Sequence, residues 1–188
     1  MSAFINLSMR IIVAVTGASG VVIAKRVLES LSGHEVHLIV SENAKKVMKY
    51  ERVEIDENLC KKSYSENDMA ALIASSSFAV DAMVIVPCSM KTLSAVANGF
   101  CDNLIVRAAE NVLKMGKRLV VVPRDTPLTL AAIENMRRVK LSGGIILPPV
   151  AAYYNEPKSA DDMTDFFVGK ILDVLGIKHG LYKKWKGD

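Results

Sequence analysis

The residues best suited to chemistry sit directly after apolar runs. Thr16-Gly17-Ala18-Ser19-Gly20 combines small residues, whose backbone N–H groups can approach a ligand, with a serine hydroxyl at a helix start that favours an anion. The same run also makes an ordinary strand-to-helix turn. It lacks the third glycine of a dinucleotide fingerprint, and no acidic residue ends the next apolar run. Ser41 opens the next helix, where a plain N-cap accounts for it. Pro87-Cys88-Ser89-Met90-Lys91-Thr92 places two hydroxyls and an ammonium where a phosphate or a polar ring edge would fit, or where a helix is simply capped. Arg124-Asp125-Thr126-Pro127-Leu128 puts an arginine at a crevice, able to bind phosphate bidentately. Asp125 is then its ion-pair partner or a proton carrier.

Other residues offer less. Arg107 and Lys114 are seven apart, two turns along one helix face, as a solvated basic stripe or part of an anion site. Tyr154 and Lys158 have the YxxxK spacing of short-chain dehydrogenases, but Pro157 bars the shared helix which that chemistry needs. Cys88 has no histidine nearby in sequence and reads as a small buried hydrophobe. Cys60, Cys88 and Cys101 are odd in number and not in CxxC spacing, and His34, His37 and His179 are unclustered. Neither a disulfide framework nor a metal site is expected.

A parallel sheet would position the strand-end stretches. Arg10–Thr16, Glu35–Val40, Ala82–Val86, Leu119–Val122 and Gly144–Leu147 read as short, continuously apolar strands, the third closed by Pro87 and the fourth by Pro123. Helices are expected over Val21–Leu31, Glu42–Tyr50, Lys91–Ala97, Leu104–Met115, Leu128–Lys140 and Ser159–Leu175, with a short one over Met69–Ala74. Ser159 and Asp162 have the spacing of a capping box. Residues 51–67 read as charged and irregular. Strands that alternate with helices and are apolar on both faces give a three-layer α/β sandwich around a parallel sheet. Ligands bind such sheets at the carboxyl ends of the strands.

The 188 residues suit one domain, with an N-terminal extension over 1–8 and a C-terminal tail over 178–188. Hydrophobic residues make up 51% and charged residues 23%, which supports a sizeable core and excludes disorder. Aromatics are only 6%, so branched aliphatics must fill that core. The net charge of +4 is too small and scattered for nucleic-acid binding. No apolar run reaches the roughly 20 residues that span a membrane, and the N-terminus is unlike a signal peptide. A soluble protein of the reduced cytoplasm is expected.

Four of these motifs together resemble those of UbiX-type flavin prenyltransferases. They are GASG at Gly17–Gly20, PCSMKT at Pro87–Thr92, RxTPL at Arg124–Leu128 and LPPVxAxY at Leu147–Tyr154. Order and spacing agree from about Met9 to Trp185. Cysteine decarboxylases of related fold carry another sequence in place of PCSMKT. The resemblance implies a flavodoxin-like or Rossmann-like fold that binds FMN and needs no metal. It implies transfer of a dimethylallyl group from dimethylallyl phosphate to N5 and C6 of reduced FMN. It further implies a UbiD-type decarboxylase as recipient of the product, and a homododecamer with sites shared between subunits.

Residue by residue, the resemblance puts Gly17, Ala18, Ser19, Ser41, Ser89, Met90, Lys91, Thr92 and Arg124 around FMN. It puts Arg107, Lys114, Tyr154 and Lys170 around the prenyl phosphate. Glu51 matches an active-site glutamate, and Trp185 a tryptophan that helps close the pocket. The implied catalytic set is Glu51, Asp125, Ser19 and Lys114. A carboxylate must move protons during ring closure, and cations must stabilise the phosphate as it leaves. Arg107, Lys114, Arg124 and Lys170 are thus expected to converge on two phosphates. The sequence departs from the family pattern at Asp125, usually Glu, at Lys170, usually Arg, and at Val21-Val22-Ile23-Ala24, often an aromatic and a glycine. Two other functions are weighed: direct FMN-dependent decarboxylation of an aromatic acid and, from the departures at Asp125 and Lys170, a flavin carrier without chemistry.

Overall fold

The computed structural model of the protein describes residues 8–185. Met1–Leu7 of the expected N-terminal extension, and the tail beyond Trp185, lie outside the described residues. The elements run in the order β1 (Arg10–Val15), α1 (Val21–Ser30), β2 (Glu35–Val40), α2 (Glu42–Glu51), β3 (Lys62–Ser65), β4 (Ala82–Cys88), α3 (Met90–Asn98) and α4 (Leu104–Lys114). They continue with β5 (Arg118–Pro123), α5 (Leu130–Leu141), β6 (Ile145–Ile146) and α6 (Ala160–Leu175). The six strands form one sheet in the order β3-β2-β1-β4-β5-β6, with every pairing parallel. This is the doubly wound, three-layer architecture the alternation of strands and helices predicts.

The two cores explain why the strands are apolar without alternation. In β1, Ile11, Val13 and Val15 enter the core under α1, α2 and α6. Ile12 and Ala14 enter the opposite core, under α3, α4 and α5. Each fully buried Ile, Leu or Val contributes roughly 1.5–3 kcal/mol by leaving water. Where only one face is covered, the apolar signal disappears. Thus β3, within the stretch read as irregular, is the edge strand Lys-Ser-Tyr-Ser, and of its side chains only Tyr64 is buried. The Tyr64 hydroxyl lies 3.0 Å from Nδ1 of His37 on neighbouring β2.

Other boundaries move for local reasons. The short helix expected over Met69–Ala74 is a single 3-10 turn at Leu72–Ala74. Strand β4 continues through Pro87 to Cys88, with the Val86–Pro87 bond cis. Helix α5 begins at Leu130, because Thr129 takes the N-cap and accepts the Ala132 N–H at 3.2 Å. The last strand shrinks to Ile145–Ile146. The capping box is present: Ser159 Oγ accepts the Asp162 N–H at 3.1 Å, and the Asp162 carboxylate accepts the Ser159 N–H at 3.0 Å. No described helix is long and apolar enough to cross a membrane.

Candidate active site

With all strands parallel, their carboxyl ends share one edge, and the order of connection reverses between β1 and β4. At that switch point Thr16, 1% exposed, joins two loops. Its hydroxyl donates to the Pro87 carbonyl at 2.8 Å and accepts the Ser89 N–H at 2.7 Å. Ser89 in turn caps α3, accepting the Thr92 N–H at 3.3 Å with the Thr92 hydroxyl 3.1 Å away. The Arg124 N–H donates to the Cys88 carbonyl at 3.1 Å, so the β5 loop is fastened to the same place. The strand-end stretch alone gives Thr16 no role of its own; the signal for it is a hydroxyl directly after an otherwise aliphatic buried strand.

This arrangement brings together most of the residues expected around the flavin. Met90, Lys91 and Thr92 form the first turn of α3 beside Ser89. The exposed Lys91 ammonium lies 3.8 Å from Asp102. Ser41 is buried, caps α2 through the Ala44 N–H at 3.1 Å, and ties its own N–H to the Val15 carbonyl at 3.0 Å. Gly17 backs onto Asn43 in the first turn of α2, and Ala18 and Ser19 follow it. Among the described residues, the Arg124 guanidinium has no partner. Asp125 accepts the Thr126 N–H at 3.0 Å rather than pairing with Arg124. Hydroxyls, a helix N-terminus and an unpaired guanidinium make a donor set that fits a phosphomonoester such as that of FMN.

The start of α1 is used differently from the sequence expectation. Gly20, its N-cap at φ 98°, has no side chain to cap the helix. The Gly20 and Val21 N–H groups instead donate to Glu51 Oε1 and Oε2 at 2.8 and 2.9 Å. Glu51 reaches them because α2 stops there, with Arg52 in the left-handed region at φ 54°. The anion favoured by the α1 N-terminus is therefore the chain's own carboxylate. The N-terminus of α3 is instead capped by the Ser89 hydroxyl and carries no acidic residue in its first turn.

A second cluster lies along α6. Tyr154 meets Phe166 and Trp185 edge-on, at centroid distances of 6.0 and 5.9 Å. The Lys170 ammonium lies 5.3 Å from the Phe166 ring and 4.9 Å from the Tyr182 ring. The hydrogen bond to Tyr182 raises the Lys170 pKa above its ordinary value, against partial burial. Tyr154, Lys170 and Trp185 thus share one aromatic cluster around Phe166 and Tyr182. Their spacing in sequence does not show it.

Arg107 and Lys114 do not join either group within one protomer. Helix α4 starts at the carboxyl edge, where the Leu104 N–H donates to the Glu66 carbonyl just past β3, and runs back to the start of β5. Lys114 therefore stands at the amino edge of its own sheet, about 10 Å along the helix from Arg107. Arg107 donates from Nε to the Ala74 carbonyl at 3.1 Å and lies 3.9 Å from Glu110. The expected convergence of four cations is not met inside a single chain. Burial pushes the Cys88 thiol pKa well up, consistent with a packing role. Among the described residues no group of His, Cys, Asp and Glu side chains is arranged to hold a metal.

The sequence model of the family described as Flavoprotein matches residues 6–172. The flavin prenyltransferase UbiX of Methanocaldococcus jannaschii is 47% identical over 182 residues, 94% of this chain and 98% of that protein. A UbiX-type protein solved in complex with FMN and dimethylallyl pyrophosphate superposes with a TM-score of 0.93 at 41% identity, covering 96% of this chain and 99% of the other. A dodecameric FMN-dependent UbiX-like decarboxylase from Escherichia coli superposes at 0.92 and 38% identity, covering 95% of this chain and all of the other.

Proposed function

This chain belongs to the UbiX-type flavin prenyltransferases of the flavoprotein family, and from that premise we propose how its residues divide the work. The activity is transfer of a prenyl group to FMN. The observation that carries the division is the strand-end edge, where Thr16 fastens two loops, Ser89 caps α3, the Arg124 N–H is tied to the Cys88 carbonyl and Glu51 holds the start of α1.

The β1, β2, β4 and β5 loops hold FMN, with its phosphate at the α3 N-terminus against Ser89, Thr92, Lys91 and Arg124. Bound in its reduced form, FMN supplies the nucleophilic N5 and C6. Glu51, both oxygens fixed by backbone donors, takes the proton that leaves C6. Asp125, at the mouth of the crevice, is the second proton carrier, and the Ser19 hydroxyl orients the ring edge. Tyr154 and Lys170 bind the phosphate of the prenyl donor, and the Trp185 ring faces the allylic cation as it forms. Arg107 and Lys114 come from a neighbouring copy and neutralise the leaving phosphate, as a shared dodecameric site would require. The donor is dimethylallyl phosphate and the product passes to a UbiD-type decarboxylase. The free thiols of Cys60, Cys88 and Cys101 suit a reduced compartment such as the cytoplasm.

The test is an anaerobic incubation of reduced FMN with dimethylallyl phosphate or pyrophosphate, followed by mass spectrometry of the flavin. A flavin heavier by one dimethylallyl group, with matching phosphate release, is expected from the monophosphate. Unmodified FMN with either donor overturns the reading. Carbon dioxide released from an aromatic acid by the protein alone would favour the decarboxylase instead.

A further inference from the structure

The segment after α6 is fastened back onto that helix by a single carboxylate. Asp173 Oδ2 accepts the Tyr182 hydroxyl at 2.5 Å. Oδ1 accepts the Lys184 ammonium at 2.7 Å and His179 Nε2 at 3.1 Å. The His179 side chain is only 4% exposed. Its Nδ1 accepts the Leu181 N–H at 3.3 Å, which assigns the ring proton to Nε2 and points it at Asp173. Burial pushes the Asp173 pKa up, but the Lys184, Tyr182 and His179 donors outweigh it and hold the carboxyl at about 2. A glycine in mid-helix weakens the helix, yet Gly169 is needed: a Cβ there would come within 2.5 Å of the Tyr182 ring and 2.8 Å of His179. The tail lies in the groove that this glycine leaves.

Tyr182 stands between Asp173 and Lys170. Its hydroxyl is taken by Asp173, its ring lies 4.9 Å from the Lys170 ammonium, and the same ring packs 5.0 Å from Phe166. Lys170 and Asp173 lie one turn apart on the same face of α6. At the end of this strap, Trp185 meets Tyr154. We propose that Asp173, acting through Tyr182 and His179, is a positioning residue for the prenyl-donor side of the site. It fixes the Lys170 ammonium between two rings and carries Trp185 against Tyr154. The inference rests on reading Lys170 and Tyr154 as donor ligands.

The experiment uses the full-length, FMN-bound protein and two substitutions, Asp173→Ala and Tyr182→Phe. Trp185 is the only tryptophan, so tryptophan anisotropy reports on the strap itself. Asp173→Ala should raise KM for dimethylallyl phosphate about tenfold or more while FMN affinity stays within about twofold, and anisotropy should fall. Tyr182→Phe keeps the ring packing and removes only the hydroxyl. It should raise KM several-fold with anisotropy unchanged. An active wild type with unchanged donor KM in both variants refutes the positioning role alone, as does parallel loss of FMN and donor binding. A wild type that forms no product refutes the donor reading and this proposal with it.

Discussion

Replacing Glu51 by glutamine separates two roles that one side chain holds. Both carboxylate oxygens accept backbone N–H groups of the α1 N-terminus, at 2.8 and 2.9 Å. Glutamine keeps one acceptor and turns an amide NH2 towards the other donor, so one hydrogen bond to a charged group is lost. Such a bond is worth roughly 1.5–3 kcal/mol, and the negative charge at the helix end adds about 0.3–1 kcal/mol. Glu51 is half-buried, and solvent screening reduces the total to about 1–2 kcal/mol. For a chain of this length that lowers Tm by about 2–8 °C at fixed protein and FMN concentration. Loss of proton transfer should slow prenylation by about 100-fold to 10,000-fold in single-turnover assays. The assays are differential scanning fluorimetry and anaerobic rapid-quench mass spectrometry on the same sample. An unchanged Tm would refute the capping role, and wild-type turnover would refute the proton role. Each can fail without the other.

Thr16→Val removes the hydroxyl that joins the β1 and β4 loops and leaves the Ser89 N–H without its acceptor. It should destabilise the protein by about 1–3 kcal/mol in chemical unfolding and weaken FMN binding by flavin fluorescence titration; unchanged FMN affinity would mean the loops do not need this fastening. Chains carrying Lys114→Ala and chains carrying Glu51→Gln should each be inactive, yet assemblies mixed randomly from both should recover about a quarter of wild-type turnover, because a shared site takes one residue from each chain. No recovery would place Lys114 and Glu51 in the same protomer's site. The Asp173 carboxyl at about 2 lies below its ordinary 3.8, so the stability it contributes, about 1 kcal/mol after screening, is present above about pH 4 and lost as pH falls through 2. Asp173→Asn should flatten that limb of the acid-unfolding curve. Parallel curves for variant and wild type would show that the carboxylate contributes nothing there.

How far the sequence could be read follows from burial on one face or two. Strands β1, β2, β4 and β5 are covered on both faces, so each left an apolar run, interrupted in β2 by His37 alone. Edge strand β3 buries one tyrosine and left none. Caps were legible because they are local: Ser41, Ser89 and Ser159 each bond within three residues. The Glu51 contact spans 30 and 31 residues, and Thr16 reaches 71 and 73 residues ahead. No periodicity encodes such separations. The Asp173 strap is closer in sequence, but it runs through irregular chain, where spacing says nothing about which side chains meet.

The α4 cations show the same limit in a form that bears on assembly. A spacing of seven places Arg107 and Lys114 on one face and is silent about which end of the sheet that face serves. The parallel sheet supplies the answer: Arg124 follows β5 at the carboxyl edge, while Lys114 precedes β5 at the amino edge. Neither the Lys114 ammonium nor the Arg124 guanidinium has a partner among the described residues, so each chain presents an uncompensated cation at either edge. A site that uses both must set the amino edge of one copy against the carboxyl edge of another. That contact joins unlike surfaces, and unlike surfaces close into rings only when the rotation between copies divides a full turn. A catalytic site built in this way makes ring closure, rather than folding of the single chain, the step that completes it.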